Sequence, residues 1–192
     1  MKIARILSKL NRFLISNFGS QEKKAAYLRR QGAKIGKNLV LNGDLGTFGT
    51  EPYLISVGDD CLLAAGVRLV THDGGISVLN KLGKFNGRRA DKVGRIEIGN
   101  NVYIGMSAMV MPGASVGDNT IIGAHALVSG NIPANSVAVG IPARVICSID
   151  EYYEKCRKTV RFTAGMSAAE KRAFYENVNF VDLRPEEMDN EE

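Results

Sequence analysis

Two histidines and three cysteines are all that this 192-residue chain brings to imidazole and thiol chemistry. Cys61, Cys147 and Cys156 are odd in number and form no Cys-x-x-Cys pair, which argues against a disulfide framework and a structural zinc site. Reduced thiols fit a cytoplasmic protein. Long apolar runs are missing as well. The first seventeen residues, MKIARILSKLNRFLISN, are broken by Ser8, Lys9, Asn11 and Arg12, so neither a signal-peptide core nor a membrane span is expected there. Acid is scarce at the front. Residues 1–40 carry ten Lys and Arg against one Glu, whereas 182–192 carry six acidic residues and one Arg, within a net charge of +5. A basic front end is either a solvated helix face or a meeting point for a phosphate-bearing ligand, an anionic membrane or another acidic surface.

What the chain has in quantity is rhythm. Residues 98–133 divide into sixes: IGNNVY, IGMSAM, VMPGAS, VGDNTI, IGAHAL, VSGNIP. An aliphatic residue opens each one (Ile98, Ile104, Val110, Val116, Ile122, Val128), and a small residue usually follows it. A small residue also stands four places after the opener, until Ile132 breaks that pattern. The same phase runs through VGDDCL and LAAGVR from Val57, and IGKNLV at 35–40 is an earlier copy. A period of six suits neither a helix at 3.6 nor a lone strand at 2. It suits a β-helix in which each six supplies a short strand and a corner, three sixes to a triangular coil. The fold class expected is an all-β solenoid of four or five such coils, with helices before and after it. The expected divisions are N-terminal helices over 1–32, the solenoid over 33–147, and C-terminal helices with an acidic tail over 148–192. The ends of a solenoid need covers. SQEKKAAYLRRQG reads as a covering helix capped by Ser20 and stopped by Gly32, with Ala26, Leu28 and their neighbours across the first coil. Ser148 and Ser167 are candidate caps of two helices near the C-terminus, and RPEEMDNEE reads as disordered.

The rhythm stops once. Between about Asp73 and Gly94 the sixes vanish into DGGISVLNKLGKFNGRRADKVG, read as a loop projecting over 73–94 directly after His72. These sixes, a histidine before a projecting loop and the closing NIPANSVAVGIPARVI resemble the hexapeptide-repeat, or left-handed β-helix, acyltransferases. The stretch FGTEPYLISVGDDCLLAAGVRLVTHDGG, residues 48–75, is similar to the members that O-acetylate sugars in surface-polysaccharide (capsule or lipopolysaccharide) synthesis. The resemblance implies a left-handed coil, a homotrimer with sites in the clefts between chains, acetyl-CoA as donor, no metal, and His72 as the catalytic base. It runs the pantetheine arm along Tyr103, Gly105, Ser107, Gly123 and Ala124 and brings the phosphates to Ser129 and Arg144. Two positions depart from the family pattern: Gly130 stands where Lys or Arg is frequent, and Met106 where Ser or Gly is.

Acetyl transfer to a hydroxyl needs a base, and an imidazole of ordinary pKa is mostly neutral at pH 7 and able to accept the proton. A base needs an orienting partner, for which Glu51 and Asp73 are the two candidates. Arg88 and Arg89, in the loop, are candidates to hold an acidic or phosphate-bearing acceptor. Cys61 is read as core filler and His125 as an outer-face or subunit-contact residue. The expected acceptor is a sugar, a nucleotide sugar or a lipid-linked glycan, with no nucleic acid as partner. Residues 1–17, with Ile3, Ile6, Leu7, Leu10, Phe13 and Leu14 at helical spacing and Lys2, Arg5, Lys9 and Arg12 between them, are expected either to pack on protein or to touch the inner membrane face from the cytoplasm. Alternatives remain: N-acetylation of an amino sugar, or a non-catalytic scaffold. A zinc carbonic anhydrase on the same fold is disfavoured, because two histidines per chain cannot supply three ligands at every site of a trimer.

Overall fold

The computed structural model describes residues 2–178 of the chain, and these fall into two compact units divided after Asp150. The acidic tail lies outside the described residues. The first unit opens with two helices, α1 (Lys2–Phe18) and α2 (Gln21–Arg30). Strands follow in short steps. The first coil has β1 (Lys34–Ile35) and β2 (Val40–Leu41), and the second has β3 (Ile55–Val57), β4 (Leu62–Leu63) and β5 (Arg68–Leu69). After a six-residue helix, α3 (Ile76–Lys81), come β6 (Ile96–Ile98), β7 (Val102–Ile104) and β8 (Met109–Val110), then β9 (Ser115–Val116), β10 (Thr120–Ile122) and β11 (Leu127–Val128). The unit closes with β12 (Asn131–Ile132), β13 (Ser136–Val139) and β14 (Arg144–Ser148).

As far as β13, successive strands do not pair with each other. They pair in parallel with strands one coil away, so the chain visits three sheets in turn: β1-β3-β6-β9-β12, then β2-β4-β7-β10-β13 with β14 antiparallel at its end, then β5-β8-β11. Register gives the coil length directly. Ile98 lies opposite Val116, eighteen residues on, which is three sixes. Every opener is buried, Ile104, Val110, Ile122 and Val128 completely so. The fifth place of each six is buried too (Val102, Ala108, Ala114, Thr120, Ala126) and fills the inside of a corner.

The last six departs from the reading above. Ile132 lies opposite Val116 and takes the opener's place, so this coil is two residues short, and VSGNIP is a cut corner followed by a new strand. The fourth place carries a rule not foreseen. Asn101, Ser107, Gly113, Asn119 and His125 all have φ between 52° and 84°, and Asn135 keeps the rule at 57° once Ile132 is counted as the opener. Each corner therefore turns on one left-handed residue, a conformation that Gly and Asn adopt at least cost. Asparagines at one corner also bond up the stack, Asn101 Nδ2 to Asn119 Oδ1 (2.9 Å) and Asn119 Nδ2 to Asn135 Oδ1 (3.0 Å). The second place is small because coils touch there: a Cβ on Gly105 would stand 2.5 Å from the amide N of Ala124.

α2 covers the open edge of the first coil with hydrogen bonds as well as apolar surface. Its Ser20 cap accepts from Lys23 N, and Gly32 (φ 91°) follows its end. The Gln21 side chain accepts from Leu41 N (2.9 Å), Lys24 Nζ donates to Leu41 O (3.2 Å), and Arg29 Nε donates to Ile35 O (3.0 Å). Edge groups that would otherwise face solvent or a second chain are thus satisfied. The buried residues of α2 are Ala25 and Leu28, with Ala26 half-buried beside them.

The second unit, taken by itself, contains most of α4 (Ile149–Cys156) and α5 (Ala168–Glu176). A reciprocal capping box between Ser167 and Glu170 starts α5, and Thr163 Oγ1 lies 3.0 Å from the hydroxyl of Tyr175.

Candidate active site

The corner joining the third sheet to the first is where the coil departs furthest from its repeat. In the first coil the third side has no strand. A 3-10 turn, Leu45–Phe48, stands in its place, and a second one, Pro52–Leu54, leads back to the first sheet. From Ile35 to its partner Val57 is 22 residues, four more than a plain coil. Gly49, Thr50 and Glu51 lie between the two turns, with Gly49 at φ 61°.

One coil on, the chain leaves the same corner after Thr71 and returns at Gly94. The base of this arm is a small antiparallel stem. His72 bridges Val93, Asp73 N donates to Lys92 O (2.8 Å), and Gly94 N donates to Thr71 O (2.8 Å). The arm, expected to be irregular, contains α3, and Asn80 clips it by donating to Ala90 O and accepting from Ala90 N, both at 2.8 Å. Arg88 and Arg89 sit exposed in the arm.

Stacking these two corners puts Glu51 against His72. Glu51 Oε2 lies 2.9 Å from His72 Nδ1 and accepts the Thr71 hydroxyl at 2.6 Å, while Oε1 accepts the Thr50 hydroxyl at 2.7 Å. Hydrogen bonds from Thr71 first, then Thr50 and His72, outweigh partial burial and push the Glu51 carboxyl down to about 2. An ionised carboxylate can only accept, so Nδ1 of His72 carries the hydrogen, and Nε2 of the neutral ring is left as the free acceptor. The His72 side chain is half-exposed. Thr71 is fully buried.

Asp73, the other candidate partner, is engaged elsewhere. It accepts from Lys92 Nζ (2.9 Å) and from Gly75 N (2.9 Å), and the bond from Lys92 chiefly holds its carboxyl below the ordinary range. Its contacts brace the stem of the arm. Burial pushes the Cys61 thiol up, and its Sγ points at Gly99 O (3.1 Å). A neutral, enclosed thiol of this kind is a poor nucleophile. His125 is exposed on a left-handed corner, with its backbone N–H on Met106 O.

The remaining predicted residues gather at other places. Tyr103 faces outward from the second sheet, between Leu62 and Ile121, and is 41% exposed. Gly105, Ser107, Gly123 and Ala124 form the corner between the second and third sheets, with Ser107 Oγ close over Gly66. Ser129 stands after β11 on the His72 corner, and Arg144 begins β14, donating from its guanidinium to Ala143 O (2.8 Å). Within one chain, then, His72 and the Gly105 corner lie at opposite edges of the third sheet, about 15 Å apart for one side of roughly five residues. The sequence reading missed Thr50 and Thr71. The signal available was a hydroxyl directly before each member of the pair, in GTE and VTH.

The chain matches the family model described as bacterial transferase hexapeptide (six repeats) over residues 95–130, and that of the hexapeptide repeat of succinyl-transferase over 55–70. It is 36% identical over 151 residues to protein CapG of Staphylococcus aureus, covering 78% of this chain and 86% of that one. It is 39% identical over 125 residues to galactoside O-acetyltransferase of Escherichia coli (strain K12), covering 63% of this chain and 58% of the other. Among solved structures it resembles a galactoside acetyltransferase in complex with coenzyme A, at 28% identity and a TM-score of 0.56, covering 78% of this chain and 82% of that one.

Proposed function

Since the chain belongs to the bacterial hexapeptide-repeat transferases and is an acetyltransferase with acetyl-CoA as its donor, we propose that it acetylates a sugar hydroxyl by direct transfer, with His72 as general base. The Glu51–His72 contact at 2.9 Å is the observation that carries this reading. His72 Nε2 takes the proton of the acceptor hydroxyl as the oxygen attacks the thioester carbonyl. The tetrahedral intermediate collapses, the C–S bond breaks, and the imidazolium returns its proton to the departing sulfur. The products are an O-acetyl sugar and free CoA, with no acyl-enzyme. Glu51 holds the ring and steadies its positive charge. Thr71 and Thr50 hold Glu51.

The coil winds left-handed in this reading, and three chains assemble so that the His72 corner of one faces the Gly105 corner of the next. That arrangement closes the gap of about 15 Å left within a single chain. The pantetheine arm then lies along Tyr103, Gly105, Ser107, Gly123 and Ala124, with Ser129 and Arg144 toward the phosphates. The arm over 73–94, with Arg88 and Arg89, overhangs the acceptor. The likeness to a galactoside O-acetyltransferase supports a sugar acceptor, and a role in surface-polysaccharide synthesis, which the resemblance of residues 48–75 implies, is the setting proposed.

A mass-shift screen of sugars, nucleotide sugars and amino sugars with acetyl-CoA identifies the acceptor and separates O- from N-acetylation. With that acceptor, His72→Ala should lower kcat roughly 10²–10⁴-fold, the share of a lost general base, and leave the Kd for CoA close to wild type. His125→Ala should cost far less. A reversed order of damage removes His72 from the chemistry.

A further inference from the structure

α1 presents an apolar stripe that its own chain leaves uncovered. Ile6, Leu7, Leu10, Phe13, Leu14 and Phe18 are between 48% and 78% exposed. At 100° per residue these six share one side of the helix. The residues that attach α1 to the coil lie off the stripe: Ser16 Oγ accepts Leu45 N at 3.0 Å, and Ile15 packs against the core. Docking on its own coil therefore does not explain the stripe.

Charge narrows the choice of what covers it. α1 contains no acidic residue, and Lys9 stands exposed at one border of the stripe, with Arg12 exposed further round the helix. The first forty residues hold ten basic residues against one acidic. Protein interfaces lose lysine from their centres, whereas a strongly two-sided helix with cations beside its apolar face is the pattern of helices lying in a lipid headgroup layer. At 17 residues and about 1.5 Å per residue, α1 is roughly 25 Å long, short of a span, and no described helix is long and apolar enough to cross a membrane. We propose that α1 docks the protein on the surface of an anionic lipid bilayer, apolar stripe down, with Lys9 at its border against lipid phosphates or carboxylates. This inference stands independently of the acetyl-transfer chemistry.

The test mixes the full-length protein with vesicles of phosphatidylcholine alone, or with added phosphatidylglycerol, and sediments them at low and high salt. Binding is expected on the anionic vesicles, and it weakens as salt screens the attraction. The Lys9→Gln variant should partition roughly fivefold less, the share of one cation lost from the lipid surface. The Leu10→Ser/Phe13→Ser variant should leave the vesicles while keeping the oligomeric mass of the wild type by light scattering. The proposal is overturned if the wild type ignores anionic vesicles, or if binding survives both variants. It is equally overturned if the Leu10→Ser/Phe13→Ser variant loses its oligomer, which assigns the stripe to a second copy of the chain.

Discussion

Glu51 accepts two hydroxyls and an imidazole N–H, and each of these bonds is stronger to the carboxylate than to the acid. Its folded value of about 2 lies below the ordinary 4.5, so the unfolded chain binds the proton more readily. The resulting stability is fully present above pH 4.5 and fades as pH falls toward 2. Urea midpoints for wild type and Glu51→Gln should therefore differ most at neutral pH and converge between those limits. A gap independent of pH would assign the loss to packing. Thr71 acts through Glu51 as a positioning residue. Its removal in Thr71→Val costs a hydrogen bond to a charged group, about 1.5–3 kcal/mol. The sharper readout is spectroscopic. With only two histidines, ring nitrogen shifts give two separable sets of signals. His72 should carry its hydrogen on Nδ1 in the wild type and in Thr71→Ser, and become a mixture of tautomers in Thr71→Val. Unchanged shifts in Thr71→Val would leave Thr71 a purely structural hydroxyl. Spacing alone left Glu51 and Asp73 both open as partners. The deciding fact is the pair of 3-10 turns that lengthens the first coil, and nothing in the sixes announces it.

Elements of two or three residues were legible because inward positions tolerate only aliphatic or small side chains, and a triangular coil repeats that demand every six residues. The same logic explains the misread six. Ile132 is as aliphatic as an opener should be, but the two missing residues before it shift the count. The left-handed corners at Asn101, Ser107, Asn119 and His125 were hidden because side chains of different chemistry serve one backbone need. α2 was foreseen as a cover, but its hydrogen bonds to β1 and β2 depend on Gln21, Lys24 and Arg29 reaching particular carbonyls and amides, which no periodicity encodes. β14, antiparallel where all its neighbours are parallel, carries Arg144 opposite Val139 at the end of the second sheet. The guanidinium is exposed there with one N–H on Ala143 O, and its remaining N–H groups would grip a phosphate in the proposed donor site. Arg144→Ala should raise the Kd for CoA roughly tenfold or more, from the loss of a charge-assisted bond, with little change in kcat at saturating donor. An unchanged Kd removes Arg144 from the donor site.

On the proposed reading the whole molecule holds two half-sites at different corners, and one chain does not bring them together. A His72→Ala chain lacks the base, and an Ala124→Arg chain, altered at an exposed corner position, should block the donor track. If the site forms between chains, mixing the two inactive variants under exchange should restore roughly a quarter of wild-type activity, since that share of interfaces pairs two intact halves. No recovery on mixing would place the whole site within one chain.

The arm rooted between His72 and Val93 has a further consequence, in how freely it can change. It stretches the register from Val57 to Ile98 to 41 residues, against eighteen for the coil that follows. Closing the longer loop costs only about 0.7 kcal/mol more, since the penalty grows with the logarithm of length. The stem closes through backbone bonds whatever the arm contains. Residues beyond the stem are thus open to insertion, deletion and exchange, whereas Gly105, pressed against Ala124 by the next coil, admits no side chain at all. If the arm overhangs the acceptor as proposed, descendants of this chain are free to acquire new acceptors by rewriting it, while the corner at Gly105 stays as it is.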